Sequence, residues 1–298
     1  MLIKGDLNVD KWKEFINKKD IRLIDHTNIH QFDMVNYEAL TSFAIDDSLA
    51  MSVGEYLSPL TIRLWIHDNT VVLGTPDSRM PYIEEGLNFL RSNQQNVVIR
   101  NSGGLAVALD SGVLNLSLIL PNSNQVSIHT GYDIMTSFIK NLLKDYTTEI
   151  QAYEIVGSYC PGDYDLSIDG IKFAGISQRR VKNGVSVQIY LDINGRSNAR
   201  ANLIKEFYAI SLKDAETKTT FPKVNPAVMG SLSEILNEEI TVQDILIRLT
   251  KLTEINMISP SENHFTQTEL NQFHKRLEQM YKRNERIRTS NNANQSKI

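Results

Sequence analysis

Asn183-Gly184 separates two long β-type runs, Ile171–Val181 and Val185–Ile193. An Asn-Gly pair between such runs is the strongest short-range signal for a two-residue hairpin. That commits this part of the chain to antiparallel pairing. A second turn pair, Asp169-Gly170, stands just ahead, with Leu166-Ser167-Ile168 before it. Upstream, Leu60–Ile66 alternates with period two, and His67-Asp68-Asn69 reads as a turn into Thr70–Gly74, a second expected hairpin. Val97–Arg100, Leu105–Leu109, Val113–Leu120 and Glu149–Val156 are further strand candidates.

Helical spacing appears between these strands. It covers Asn36–Val53, Tyr82–Asn93, Ile128–Tyr146 and Ala199–Tyr208, with a short amphipathic stretch at Val9–Asn17. In Asn36–Val53 the apolar positions leave Asp46 and Asp47 for solvent or for the helix end. Hairpins interleaved with helices give an α+β class, mostly antiparallel sheets packed with helices, and not a parallel α/β fold. Beyond Thr219 the strands stop. Ser231 and Thr241 cap two short helices, and Thr268–Arg288 reads as a long charged helix. The chain divides into an N-terminal extension (1–33), a main domain of strands and helices (34–220), a helical C-terminal region (221–288) and a disordered Ser/Asn-rich tail (289–298).

Composition narrows the function classes. A net charge of −4, with no long basic stripe before the last helix, makes nucleic acid an unexpected partner. The basic residues of that last helix, Arg276, Lys282, Arg283, Arg286 and Arg288, read as a solvated face, or as a contact for an acidic partner. No apolar run approaches the roughly 18 residues of a membrane span. The start of the chain lacks a secretory pattern, and a single cysteine permits no internal disulfide. The expectation is a soluble, cytoplasmic protein.

That cysteine lies in Gly157-Ser158-Tyr159-Cys160-Pro161-Gly162-Asp163-Tyr164-Asp165. Pro161 pushes Cys160 toward an extended conformation, and the flanking glycines make a shaped loop. A lone cysteine is more often an inert small hydrophobe than a nucleophile. Lys172, beyond the Asp169-Gly170 turn, comes back toward the loop if that turn is tight, and a cation near a thiol favours the thiolate. Asp163 and Asp165 could orient that lysine or cap the loop. A second constellation is Arg100-Asn101-Ser102-Gly103-Gly104, where a glycine pair between strands admits close approach of a ligand or of another backbone. The spacing is that of neither common phosphate loop. His26, His30, His67, His129, His264 and His274 all fall outside both motifs. No group has metal-ligand spacing, and His26 and His30 read as surface or packing residues.

Arg100-Asn101-Ser102-Gly103-Gly104-Leu105-Ala106-Val107, with Gly112–Leu118 (Gly-Val-Leu-Asn-Leu-Ser-Leu), resembles the lipoyl-binding signature of the biotin/lipoate protein ligase and transferase superfamily. Ser158–Ile168 with Gly170–Arg180 is narrower. It resembles the octanoyl-[glycine cleavage system H protein]:protein N-octanoyltransferases, or lipoyl amidotransferases. Phe43–Leu49 and Val71–Gly74 support the likeness, which runs from about Ile21 to about Leu252.

The resemblance implies that an octanoyl or lipoyl group leaves a lysine of the glycine cleavage H protein, rests on Cys160 as a thioester, and passes to a lysine of a 2-oxoacid dehydrogenase lipoyl domain. It gives Lys172 the role of lowering the cysteine pKa and moving a proton. Arg100, Ser102, Gly103, Gly104 and Gly175 would line the acyl site. Neither ATP nor a metal is implied as a cofactor. The same fold also serves ATP-dependent lipoate–protein ligases and transferases that use octanoyl-acyl carrier protein. Ligases of this kind usually carry a histidine where Leu109 precedes Asp110, which weakens the ligase alternative.

Overall fold

The computed structural model describes residues 12–13, 21–28, 37–121, 124–255, 259–260 and 265–295. In chain order these form β1 (Ile21–His26), α1 (Ala39–Gly54), β2 (Leu60–Trp65), β3 (Thr70–Leu73), α2 (Ile83–Ser92), β4 (Asn96–Ile99), β5 (Val107–Leu109) and β6 (Val113–Leu120). Then follow α3 (Ile128–Leu142), β7 (Gln151–Ala152), β8 (Leu166–Ile168), β9 (Ile171–Val181), β10 (Gly184–Asp192) and α4 (Ser197–Leu212). The C-terminal part holds α5 (Leu232–Leu236), α6 (Val242–Ile255), β11 (Ser259–Pro260) and α7 (Gln267–Gln295). The stretch expected as a helix at Val9–Asn17 falls mostly outside the described residues, as do His30 and His264.

An eight-stranded sheet runs in the order β11-β1-β2-β6-β10-β9-β8-β7, and a three-stranded sheet in the order β4-β3-β5. β1 is parallel to both β2 and β11, and β3 is parallel to β4; the remaining pairs are antiparallel. The α+β expectation holds. The hairpin expected from Leu60–Ile66 into Thr70–Gly74 does not form. All six residues of β2 are buried, so it sits inside the large sheet between β1 and β6. The intervening turn, with Asn69 at φ 43°, carries the chain into the other sheet. Between Glu149 and Val156 only Gln151–Ala152 is strand.

The two turns nearest the cysteine loop do form. Ile168 pairs with Ile171 across Asp169 (φ 50°) and Gly170 (φ 78°), both in the positive range that a type I′ turn requires. The β9–β10 turn is displaced by one residue from expectation. Val181 pairs with Gly184, so Lys182 (φ 50°) and Asn183 make the turn. Gly184 serves a different need, since a Cβ there would lie 1.7 Å from the carbonyl oxygen of Ala50. Its absence lets α1 rest on the end of the hairpin.

Every residue of α1 is buried, polar ones included. Asp46 and Asp47 therefore do not face solvent. Asp46 accepts from Arg63, Ser117 and Gln188, and Asp47 accepts two bonds from Arg179. A buried carboxylate persists only with such partners. His26 is likewise interior, its Nδ1 accepting from Arg63 Nε at 3.0 Å.

The segment boundaries read from sequence are also redrawn. β1, read as part of an extension, is a strand of the large sheet. α7 packs its Phe273, Met280 and Ile287 into the main core and continues to Gln295, through most of the tail expected to be disordered. Four of its basic residues meet this same chain, and the side chain of Arg288 lies outside the described residues. Arg276 donates to Met51, Arg283 to Thr75, Lys282 pairs with Glu278, and Arg286 pairs with Glu84.

Candidate active site

A cavity of about 260 Å³ lies between the two sheets. Phe43 of α1, Trp65 of β2, and Val72, Val107 and Leu109 of the small sheet line its apolar part. Those side chains are buried, whereas Cys160, Tyr132 and Gln178 are half-buried and mark its open end. Leu109 thus occupies the lining with an apolar side chain. Asp110, beside it, binds Arg200 through both carboxylate oxygens.

Cys160 adopts φ 46°. The extended conformation expected from Pro161 is not found. A left-handed residue with a Cβ costs about 1–2 kcal/mol, so the surrounding structure must hold it there. Asp165 and Lys172 do so. Asp165 Oδ2 accepts from the amides of Ile155 (3.3 Å) and Gly162 (3.2 Å), closing the loop on itself. Lys172 Nζ donates to Ser158 Oγ (3.1 Å) and to the carbonyl oxygens of Tyr159 and Cys160 (both 3.0 Å), and pairs with Asp165 Oδ1 at 2.9 Å. The Asp169-Gly170 turn makes this possible by folding β9 back on β8, which brings Lys172 beneath the loop. Burial pushes the Asp165 carboxyl up, and the Lys172 charge opposes that shift.

The cysteine sulphur meets other groups. Leu105 N–H donates to Sγ at 3.1 Å, and Arg100 Nη2 donates to it at 3.3 Å. Arg100 Nη2 also reaches Leu105 O at 2.7 Å. Gly104, at φ 106°, lies inside this arrangement. A Cβ on it would come within 2.2 Å of Arg100 Nη2 and 2.9 Å of Sγ.

Of the residues singled out from sequence, Cys160, Lys172, Arg100, Gly103, Gly104 and Gly175 all border the cavity. Ser102 does not. It is buried behind the loop, and its hydroxyl has no hydrogen-bond partner among the described residues. Asn115, Tyr132, Gln178 and Gln188 supply a polar lining not singled out from sequence, although Asn115 and Gln178 stand inside the quoted motifs. Asn115 and Gln188 could have been suspected as amides inside strands otherwise rich in Leu, Ile and Val. Gln188 is fixed from behind by a 2.6 Å bond to Asp46. Among the described residues, no group of three or more His, Cys, Asp or Glu side chains is placed to hold a metal ion. No helix there is long and apolar enough to cross a membrane.

Residues 38–252 match the lipoyl protein ligase A/B catalytic domain. The chain belongs to this family. Among curated relatives, octanoyl-[GcvH]:protein N-octanoyltransferase of Oceanobacillus iheyensis is 54% identical over 274 residues, covering 92% of this chain and 98% of the relative. Lipoyl-[GcvH]:protein N-lipoyltransferase of Listeria monocytogenes is 47% identical over 274 residues, covering 91% and 97%. The fold is that of solved lipoate ligases. Lipoate-protein ligase A bound with ATP superposes with a TM-score of 0.63 at 16% identity, covering 87% of this chain and 94% of that one. The bi-partite lipoate protein ligase of Thermoplasma acidophilum gives a TM-score of 0.58, also at 16% identity, covering 87% and 91%.

Proposed function

We propose that this chain is an acyltransferase that exchanges one protein amide for another. The donor is the glycine cleavage H protein carrying an octanoyl or lipoyl group on a lysine. The acceptor is a lysine of a 2-oxoacid dehydrogenase lipoyl domain. Cys160 attacks the donor carbonyl, the C–N bond breaks, and the proton released by the thiol ends on the departing lysine amine. The resulting thioester is attacked by the acceptor amine, which loses a proton as the sulphur leaves. Splitting one amide exchange into two steps in this way is what a covalent nucleophile contributes. The amides broken and formed are of one kind, so the exchange proceeds without nucleotide.

One observation carries this reading. The chain's single cysteine is held in a left-handed conformation at the open end of an apolar cavity. Each methylene that an acyl tail buries there contributes about 0.8 kcal/mol. Lys172 keeps the loop in shape from beneath.

The test pairs one acceptor lipoyl domain with three donors: octanoylated H protein, octanoyl-acyl carrier protein, and free lipoate with ATP. Transfer from the H protein is expected, with an octanoyl adduct on Cys160 in intact-protein mass spectra and none on Cys160→Ala, which does not transfer. Near wild-type turnover by Cys160→Ala would sink the reading. Transfer from lipoate only with ATP would replace it with a ligase.

A further inference from the structure

Two buried cations flank the cysteine loop, and their surroundings differ. Lys172 has a carboxylate of its own, Asp165, at 2.9 Å, and its remaining bonds go to oxygens of the loop. Its charge is matched without the thiol. Arg100 is only 6% exposed, and among the described residues no carboxylate stands within ion-pair distance of it. The neighbouring carboxyl of Asp77 is engaged by Gly74 N–H at 2.7 Å and Tyr208 OH at 3.0 Å. The groups that Arg100 Nη2 does reach are Leu105 O and the sulphur of Cys160. A guanidinium withdrawn from water needs an anion beside it.

The sulphur shows the same relation from its side. Two N–H donors, Arg100 Nη2 and Leu105 N, converge on it. A protonated thiol is a weak acceptor, and paired donors aimed at one atom suit a negative charge. The intervening residue must be Gly104, because a Cβ would press on both Arg100 Nη2 and Sγ.

We infer that Arg100 and the Leu105 amide form the anion cradle of the Cys160 thiolate. Arg100 is then a catalytic residue in contact with the reacting sulphur. The Ser-Gly-Gly segment gains a task beyond lining the acyl site, since it brings the guanidinium and a backbone donor to the nucleophile. As the acyl group is transferred to sulphur the negative charge leaves it, and both donors are freed for the carbonyl oxygen of the next attack.

The inference rests on Cys160 being the nucleophile, but its test needs no acyl donor and stands apart from the donor question. The rate of alkylation of Cys160 by iodoacetamide is followed from neutral to strongly alkaline pH in the full chain, with ultraviolet thiolate absorbance alongside. Arg100→Gln is expected to slow alkylation about ten- to a hundredfold at neutral pH, the factor that corresponds to losing one charge-assisted hydrogen bond. The loss should vanish at alkaline pH, where the thiol ionises unaided, and Arg100→Lys should recover part of the neutral rate. Gly104→Ala, which keeps the arginine but separates it from the sulphur, should show the same pattern. Wild-type alkylation of Arg100→Gln at neutral pH would overturn the inference. So would a deficit in that variant that persists at alkaline pH, because the arginine would then act only on the shape of the loop.

Discussion

At the residue scale, Lys172 and Asp165 form a closed unit beneath Cys160, each 2% exposed and each engaged by the cysteine loop. Removing one partner strands the other as a buried charge, which costs about 3–5 kcal/mol, whereas removing both costs less. Lys172→Met is therefore expected to lower the unfolding free energy in urea by that amount, and Asp165→Asn to do likewise. The double variant Asp165→Asn/Lys172→Met should be more stable than either single one, yet remain inactive in transfer because the Cys160 turn loses its tether. Additive single effects would show that the pair is not coupled and that the loop is held by something else.

At the scale of elements, α1 forms only because its neighbours supply partners for its polar residues. One of those neighbours is α7. Glu269 of α7 receives both terminal nitrogens of Arg22 on β1 (3.1 and 2.6 Å) and Ser58 Oγ (2.8 Å), while Ser48 of α1 donates to its carbonyl oxygen at 2.6 Å. Burial pulls the Glu269 carboxyl up, but these bonds outweigh it and hold the group below its usual range. Glu269→Ala should cost about 3–5 kcal/mol in urea unfolding, since Arg22 is left buried without its counter-ion. It should also open α7 to limited proteolysis ahead of the core. A change below about 0.5 kcal/mol, the range of an ordinary surface substitution, would show that α7 is not needed to seal α1. Such long-range dependence explains what was legible in the sequence. The Asp169-Gly170 turn and the Ser231 capping box are local, and their residues alone specify them. The pairing of β2 with β1 and β6, the burial of Asp46, and the approach of Arg100 to Cys160 across 60 positions are set by packing. The motifs mark loops that border the cavity, but only the topology shows which cation meets the sulphur.

For the molecule as a whole, the polar network under the cavity sets the response to acid. Burial, reinforced by the nearby Arg63 charge, lowers His26 from 6.5 to about 2 and His67 from 6.5 to about 3. Arg63 Nε donates to His26 Nδ1, which obliges that ring to stay neutral. The unfolded chain takes up two protons below about pH 6.5 that the folded chain refuses, so stability present above that pH is lost as pH falls toward 3. At roughly pH 5 each histidine accounts for about 2 kcal/mol of loss. Asp77 and Asp192 work in the opposite sense. Burial raises each to about 6, so the folded chain binds their protons first and each gains about 1 kcal/mol over the same range. The histidines still win, and unfolding free energy should fall by roughly 1–2 kcal/mol between neutral pH and pH 5. His26→Gln/His67→Gln should flatten that slope even if it is less stable at neutral pH. A wild-type stability that is level or rising toward pH 5 would contradict the assignment. Arg63 is joined to the cavity through Asp46 and Gln188, so acid should weaken the floor of the cavity before it releases α4. Transfer activity should then decline at a higher pH than the loss of helical signal.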